Sequence, residues 1–397
     1  MRSGERRIYF LCRIFEAIHL NPMQTLIDPD HFSLPSGLAY LDSAAEGIPP
    51  LAVQAALAAY LRAKCMGTGG RVLLFQEQKL LESLIASLLD TEAENIVTLA
   101  NTSVALNLLA QNINWQPGDE VLICDLEFPS NVLPWLQLKS RGVRLVVVPS
   151  VSGVVELEDW LACISPRTRI ISVSQVSYKS GTQFSYLEQL AGHAHAAGAI
   201  FCVDATQALG RVPVSVRGVD FLVASSYKWT LGIHGLGIVY VAPTLRDLLR
   251  SGTAGWYSVT EVFHPDRFGS FTSKPSAGQL QAGMPNFPAI FALRAGIDYL
   301  VAIGIERIDQ TLSPLVSRLR VGLSDCGMHL LTPLDPRFAS GIVSFAHDQP
   351  ELLAAKLAAQ GVMVWGGDGR IRISVHLYNH LDDIERCLDG IRALTTS

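Results

Sequence analysis

Apolar, β-branched runs alternate with helical stretches through the middle of the chain. From about residue 95, short apolar runs end in polar or small residues, and segments with apolar positions at i, i+3 and i+4 fill several gaps, for example Ser103–Gln111 and Tyr186–Ala197. This alternation predicts an α/β fold with a mostly parallel, covered sheet. The predicted strands are Asn95–Ala100, Glu120–Asp125, Arg144–Val148, Arg169–Val173, Ala199–Asp204, Phe221–Ala224 and Gly237–Val241.

The pattern changes after about residue 305. Two strands are predicted at Ser340–Phe345 and Arg370–Ser374, with helices at Pro350–Gln360 and Leu381–Leu394. This succession is typical of a smaller α+β domain. We therefore expect an N-terminal arm and a large domain over residues 23–304, followed by a small C-terminal domain over residues 305–397.

The first 22 residues share neither the periodicity nor the motifs of the rest of the chain. Arginines precede the apolar stretch Ile8–Cys12, as in a signal peptide, but charged residues then interrupt the apolar region and no small-residue cleavage site follows. We interpret residues 1–22 as a dispensable, non-exported extension, with Met23 as an alternative start.

Composition narrows the class of protein. Of 397 residues, 49% are hydrophobic and 17% are charged, which argues against disorder, and a net charge of -5 makes nucleic acid a poor partner. No apolar run is long enough to span a bilayer. The seven cysteines have neither CxxC nor zinc-ribbon spacing, which favours free thiols in a reducing, cytoplasmic compartment. No metal site is expected, because His376 and His380 lack an evident third ligand.

Two charged residues follow predicted strands, at the sheet edge where α/β proteins bind ligands. Asp204 closes the strand Ala199–Asp204, and Lys228 ends the segment Ser225-Ser226-Tyr227-Lys228 after the next strand. Each has an ordinary explanation by itself. Asp204 could cap the helix that follows, and a single lysine after a strand is unremarkable. Together they match a pyridoxal 5'-phosphate (PLP) site, which needs a lysine that forms a Schiff base and an acid on the pyridinium nitrogen.

The segment between these residues carries a family resemblance. Residues 204–237, DATQALGRVPVSVRGVDFLVASSYKWTLGIHGLG, resemble the cofactor segment of class V aminotransferases, a group that includes cysteine desulfurases, isopenicillin N epimerases and kynureninases. The resemblance extends from about Tyr40 to Asn379. It implies the PLP-dependent transferase fold of type I, PLP held by Lys228, and a homodimer with its active site at the subunit interface.

The resemblance also implies roles for the residues that surround Lys228. Asp204 would pair with the pyridine nitrogen of the cofactor, and Gln207 would bind the ring hydroxyl. Ser225 and Tyr227 would contact the phosphate, although the family usually has His at the position of Tyr227.

Four further cofactor and substrate residues follow earlier strands of the predicted sheet. Thr102 and Ser103 begin a predicted helix, whose N-terminus suits a dianion; without the resemblance they would be read as helix caps. The family places its phosphate loop here. Phe128 falls where the family stacks a ring on the cofactor, and Tyr178 lies in a loop near the substrate.

An arginine near the C-terminus completes the implied site. The segment Arg370–Asn379 fits the family pattern R-x-S-x-x-x-Y-N, which places Arg372 on the carboxylate of a small amino-acid substrate. A guanidinium suits a bidentate carboxylate contact. Trp256, Tyr257 and Trp365 are candidates for the substrate pocket, and ordinary packing explains each of them equally well.

The chain departs from its relatives at two positions. Cysteine desulfurases need a nucleophilic cysteine on a loop before the substrate arginine, whereas the stretch Gly361–Arg370 is short and has none. The family often has Thr at the position of Met284, donated to the phosphate of the other subunit, and Met lacks that hydroxyl.

These residues lead to a ranked set of functions. The first expectation is a class V aminotransferase-like enzyme that acts on an α-amino acid through a Lys228 Schiff base. The alternative is a PLP-dependent lyase, of the C–S lyase or cysteine desulfurase type, or an epimerase of the isopenicillin N type. A PLP-fold binding protein without catalysis is the third reading, which the presence of Lys228, Asp204 and Arg372 disfavours.

Overall fold

The seven strands predicted between residues 95 and 241 form one seven-stranded sheet. The computed structural model describes residues 26–27, 29–249 and 254–395, so the predicted extension over residues 1–22 and the start at Met23 lie outside the described residues. In the described residues the strands are β1 (Ala39–Tyr40), β2 (Ile96–Leu99), β3 (Glu120–Cys124), β4 (Arg144–Val148), β5 (Thr168–Ser174), β6 (Ile200–Asp204), β7 (Phe221–Ser225), β8 (Gly237–Val241), β9 (Ile342–Ala346), β10 (Val362–Met363), β11 (Trp365–Gly367) and β12 (Arg370–Ser374).

The large sheet has the order β2-β8-β7-β6-β5-β3-β4. The four pairings from β7 to β4 are parallel, and β8 runs antiparallel to both of its neighbours. The prediction of a mostly parallel sheet in an α/β fold is therefore confirmed. The inner strands are buried almost throughout, whereas the edge strand β4 is partly exposed, which explains why the inner strands read as continuous apolar runs.

Helices precede and follow the strands along the chain. The predicted elements match the observed ones to within one or two residues at each end, which is the usual uncertainty of a helix or strand end. The described helices are α1 (Leu51–Cys65), α2 (Arg71–Leu88), α3 (Thr102–Asn112), α4 (Leu133–Leu136), α5 (Leu157–Cys163), α6 (Leu187–Ala196), α7 (Pro243–Arg246), α8 (Phe287–Ile303), α9 (Ile305–Asp325), α10 (Pro350–Ala359) and α11 (Leu381–Thr395).

None of these helices alone has the length and apolar composition that a membrane span requires. Within the described ranges, only the consecutive helices α8 and α9, taken together across a bend of 76°, satisfy that criterion.

The C-terminal residues build a second, smaller core together with the start of the described chain. Strands β11, β12 and β9 form an antiparallel sheet, and β1 pairs in parallel with β10. Phe32 and Leu41 accordingly share a hydrophobic cluster with Ile371 and Leu388. The domain boundary at residue 304 stays a prediction, but the packing of the arm against the C-terminal strands was not visible in the sequence.

An ion pair between a buried arginine and a partly exposed aspartate connects the two cores. Arg211, which has no exposed surface, donates from Nη1 to Asp309 on α9 at 2.8 Å and from Nε to the carbonyl of Val375 at 3.2 Å. Burial lowers the pKa of Arg211, and Asp309 partly offsets that change. Arg211 therefore connects helix α9 and the residue after β12 to the segment that follows Asp204.

Replacing Asp309 by Asn should destabilise the protein, because the guanidinium of Arg211 would remain buried without a counter-charge. The Asp309 side chain is 33% exposed, so we expect a loss of about 1–3 kcal/mol in the free energy of unfolding, below the value for a fully buried pair. Chemical denaturation would measure it. Asp298→Asn is the matched control, since Asp298 pairs with Arg294 nearer the surface. Equal, small losses in both variants would contradict the prediction.

Candidate active site

A cavity of about 320 Å³ lies at the carboxyl ends of the parallel strands. Nine of the ten predicted site residues line it, and Arg372 contacts one of them. The lining residues are Asn101, Thr102, Ser103, Phe128, Ser130, Ser174, Val176, Tyr178, Asp204, Thr206, Gln207, Ser225, Tyr227 and Lys228. The sheet thus gathers residues that are far apart in the sequence into one concave site.

Asp204 is held at the floor of the cavity as the last residue of β6. It is 6% exposed, and its Oδ1 accepts a hydrogen bond from the backbone N–H of Thr206 at 2.8 Å. Burial raises the pKa of this carboxyl group, while the Thr206 hydrogen bonds and the charge of Lys228 oppose the rise. A buried carboxylate in this position favours a cationic partner.

Lys228 lies three residues beyond β7 and is 9% exposed. Burial lowers the pKa of its amine to about 8, and the nearby charge of Arg372 lowers it further, whereas Asp204, Glu46 and Asp42 raise it. About a tenth of the amine is therefore neutral at pH 7, far more than for an ordinary lysine. A neutral amine is the nucleophilic form of lysine.

The chain segment around Gly47 closes over the lysine. The N–H of Gly47 donates to the carbonyl of Tyr227 at 2.9 Å. A Cβ atom at Gly47 would lie 1.8 Å from the carbonyl oxygen of Lys228, so this approach requires glycine. The Tyr227 ring stacks on His234, whose Nε2 lies 3.1 Å from Oε1 of Glu46.

The start of α3 forms another wall of the cavity. Asn101 caps the helix, since its side chain accepts from the N–H of Val104 at 2.8 Å. Neither Thr102 nor Ser103 is therefore the cap, and their backbone N–H groups lie in the first turn, where no carbonyl of the helix can accept them. A Cβ at Gly237 would approach the carbonyl carbon of Asn101 to 2.8 Å, so glycine allows β8 to pack closely against this helix start.

Aromatic and amide groups line the rest of the cavity. Phe128 contacts Tyr178 edge to face, with 5.0 Å between ring centroids, and Nζ of Lys228 lies 5.6 Å from the Phe128 centroid. Gln207 is fixed at both ends, because its Nε2 donates to the carbonyl of Ala44 and its Oε1 accepts from Trp229.

Arg372 lies beside the cavity, on the small sheet. On β12 it lies in register with Trp365 and Ser344 on the neighbouring strands and is 5% exposed. Its Nη1 lies 3.4 Å from the carbonyl of Tyr178 and its Nη2 lies 3.7 Å from Oδ1 of Asp42, while its Nε has no hydrogen-bond partner. Burial lowers the pKa of Arg372 to about 10, which leaves it charged at neutral pH.

A buried carboxylate supports the floor of the site from below. Glu127 is 6% exposed and accepts hydrogen bonds from the N–H and hydroxyl of Ser174 and from the amide of Asn131. Ser174 is the residue of β5 that lies in register with Asp204. Burial raises the pKa of Glu127 to about 7, against the lowering by these hydrogen bonds. The network fixes the end of β5 beside Asp204.

Sequence reasoning missed several residues of the cavity, namely Asn101, Ser130, Ser174, Val176 and Thr206. The position of Ser174 at the end of a parallel strand was a usable signal. The next residue, Gln175, does not line the cavity, and its side chain donates to the carbonyl of Pro213. Of the three aromatic candidates for the substrate pocket, Trp365 lies beside Arg372, whereas Tyr257 bonds to Gln78 outside the cavity and Trp256 packs on Tyr257.

The comparison with known families decides the assignment. The model described as aminotransferase class-V matches residues 39–387. The chain belongs to the class-V aminotransferase family. It is therefore a PLP-dependent enzyme with the type I fold, as predicted from residues 204–237.

Individual relatives agree with this family. The chain is 31% identical over 380 residues to a probable cysteine desulfurase from Pseudomonas putida, covering 89% of this chain and 92% of the relative. The apo structure of a cysteine desulfurase from Thermococcus onnurineus matches with a TM-score of 0.85 and 26% identity over 92% of this chain and 96% of the other. The fold is also shared with a lysine-to-alanine mutant of C-DES, in which glycine is covalently linked to PLP (TM-score 0.84, 20% identity, 92% and 99% coverage).

The donor set of the cavity fits PLP. A helix N-terminus and several hydroxyl groups could hold a phosphate dianion, and a buried carboxylate beside a reactive lysine could hold a protonated pyridine ring. Thr102, Ser103, Ser225 and Tyr227 would hold the phosphate, Asp204 the ring nitrogen and Lys228 the carbonyl carbon. Within the described ranges, no group of three or more His, Cys, Asp or Glu residues is arranged to hold a metal ion.

The homodimer implied by the resemblance stays a prediction. Met284 is 44% exposed, and the helices α1 and α2 also expose apolar side chains, among them Leu61 and Val72, as does Met66 between them. An exposed apolar surface of this kind is consistent with a subunit interface.

The depressed pKa of Lys228 predicts how the apoprotein captures its cofactor. Only the neutral amine reacts, so the rate of PLP capture should rise with pH and level off above about 8. Absorbance of the Lys228–PLP Schiff base after rapid mixing would measure the rate. A rate that still rises steeply between about pH 9 and 10.5, as expected for an ordinary lysine, would contradict the assignment.

Proposed function

We propose that this enzyme is a C–S lyase that cleaves the Cβ–S bond of a sulfur-containing α-amino acid, without passing the sulfur to a cysteine of its own site. Support comes from the relatives named cysteine desulfurase, which cover about nine-tenths of the chain. The chain differs from desulfurases at the segment before Arg372, and this difference carries the proposal.

That segment is a tight hairpin with no nucleophile. Strands β11 and β12 pair directly, and only Asp368 and Gly369 separate them, both with positive φ. The stretch 361–370 contains no cysteine. Among the described cysteines, none lines the cavity, and Cys124, Cys202 and Cys387 are buried. A desulfurase needs a cysteine on a loop at this point, so sulfur would instead leave to solvent.

For cysteine the balanced reaction is cysteine plus water giving pyruvate, ammonia and sulfide. When bound, PLP supplies an electron-accepting ring that stabilises negative charge at the α-carbon of the attached amino acid. Lys228 would hold the cofactor and then remove the α-proton with its neutral amine. Asp204 would keep the ring nitrogen protonated, and Arg372 would orient the substrate through its carboxylate. Phe128 and Tyr178 would shield the α-carbon from water.

Transamination, the first expectation from the sequence, requires the same residues, as does epimerisation. The three reactions differ after the α-proton has been removed. Elimination breaks the bond to the leaving group at the β-carbon, epimerisation returns a proton to the opposite face of the α-carbon, and transamination leaves the amino group on the cofactor. Product analysis is therefore the direct way to separate them.

Purified holoenzyme incubated with cysteine or cystine should release pyruvate and sulfur in equal amounts, as sulfide from cysteine and as persulfide sulfur from cystine. No 2-keto acid acceptor should be needed. Lys228→Ala should abolish the reaction because the base is missing. Amino acids without a leaving group at Cβ are the negative controls, because they should release no pyruvate or sulfur. Keto acid formed only when an acceptor keto acid is added, without sulfide, would assign the enzyme as an aminotransferase instead.

Arg372→Lys should separate substrate binding from cofactor binding. The substitution keeps a positive charge but removes the guanidinium fork, so KM should rise about ten- to a hundredfold, the value of one charge-assisted bidentate contact. The absorbance of the bound cofactor should not change, since Arg372 does not line the cofactor cavity. Steady-state kinetics and the absorbance spectrum provide both readouts. A wild-type KM in this variant would place the carboxylate site elsewhere.

A further inference from the structure

Asp42 is held beside Arg372 by the backbone. It follows β1 and forms a parallel bridge with Ser374, and the N–H of Ser374 donates to the carbonyl of Leu41 at 2.8 Å. The pairing fixes the main chain of Asp42 next to the strand that carries Arg372. The carboxylate therefore reaches the guanidinium without a flexible loop.

The two side chains form a loose pair. Oδ1 of Asp42 lies 3.7 Å from Nη2 of Arg372 and has no hydrogen-bond partner, and Nε of Arg372 has none either. A charge-assisted hydrogen bond between such groups is usually about 2.7–2.9 Å long. Asp42 thus supplies a counter-charge to Arg372. The guanidinium still has N–H groups that can donate hydrogen bonds to a second carboxylate.

Leaving Arg372 without any counter-charge would be costly, because its side chain is only 6% exposed. Asp42 supplies that charge when no substrate is present. An arriving substrate carboxylate needs the same guanidinium, so the two anions share one cation and repel each other.

We propose that Asp42 is an internal placeholder for the substrate carboxylate, which keeps Arg372 in position and competes with the substrate for it. This inference rests on the proposed carboxylate-binding role of Arg372. It makes Asp42 a positioning residue that sets the affinity of the site and its dependence on pH.

The charges that surround Asp42 determine the direction of that dependence. Burial raises the pKa of Asp42 to about 6; Arg372 and Lys228 lower it, and Glu46 raises it. Tyr40 and Tyr378, the other titratable neighbours, stay neutral in this range because burial raises their pKa. Below about 6, Asp42 is protonated and stops competing. Carboxylate affinity should therefore fall as pH rises through about 6.

A different role for Asp42 would change binding in the opposite direction when its charge is removed. If Asp42 bound the ammonium group of the substrate, removing its charge would weaken binding of an amino acid and would not strengthen binding of a carboxylate that lacks the amine. A deaminated probe therefore separates the two arrangements.

The test uses 3-mercaptopropionate, a carboxylate that cannot condense with the cofactor because it has no amino group. Its dissociation constant is measured on the holoenzyme by calorimetry between pH 5.5 and 8. Asp42→Asn should bind it about fivefold or more tightly than wild type at pH 8, with no pH step near 6. For a sulfur amino acid, the same variant should lower KM without raising kcat.

Glu46→Gln is the matched control, because it removes a neighbouring negative charge that bonds to His234 and not to Arg372. This variant should retain the pH step but move it to lower pH, because Glu46 raises the pKa of Asp42. Unchanged or weaker binding by Asp42→Asn, or a pH step that persists in it, would overturn the inference. The wild-type pH profile is an independent check if Asp42→Asn does not fold, since a flat profile would also overturn it.

Arg372→Lys separates this inference from the proposed function. Weak binding of 3-mercaptopropionate by Arg372→Lys, together with wild-type behaviour of Asp42→Asn, would reject the role of Asp42 and retain that of Arg372. Equal binding by Arg372→Lys and wild type would reject both.

Discussion

The burial of a lysine near charges of both signs is the constraint on which this site depends. Lys228 is close enough to the carboxylate of Asp204 and the guanidinium of Arg372 for both to change its pKa, and all three residues are more than nine-tenths buried. Because burial disfavours the charged amine, the lysine is available as a nucleophile close to neutral pH. The same burial makes every remaining charge dependent on a specific partner, which explains the hydrogen bonds around Asp204 and the pair between Asp42 and Arg372.

Two separate sheets meet to create this arrangement. Asp204 and Lys228 come from neighbouring parallel strands of the large sheet, whereas Arg372 comes from the antiparallel sheet near the C-terminus. The chain near residue 42 joins them, since Asp42 forms a bridge with Ser374 on β12 and Gly47 contacts the lysine segment. The arm therefore both completes the small core and contributes a charged residue to the site.

The sequence was informative where local pattern determines structure. Strand ends could be predicted because buried parallel strands are continuous apolar runs, and Asp204 and Lys228 stand at or just beyond the ends of two of them. Asp42 and Glu127 could not be predicted in the same way. Their environment depends on contacts with Arg372 and Ser174, which are distant in sequence. The hairpin before Arg372 was expected only as a short loop without cysteine, and its pairing with β12 required the structure.

The most direct test of this account is to locate the cofactor on the chain. Holoenzyme reduced with borohydride and digested with a protease should yield a single PLP-labelled peptide, with the label on Lys228. Asp204→Asn should reduce cofactor retention but leave the labelled residue unchanged, since Asp204 binds the ring and not the carbonyl carbon. A label on another lysine would contradict the central assignment, because the buried amine of Lys228 would then not be the group that holds PLP.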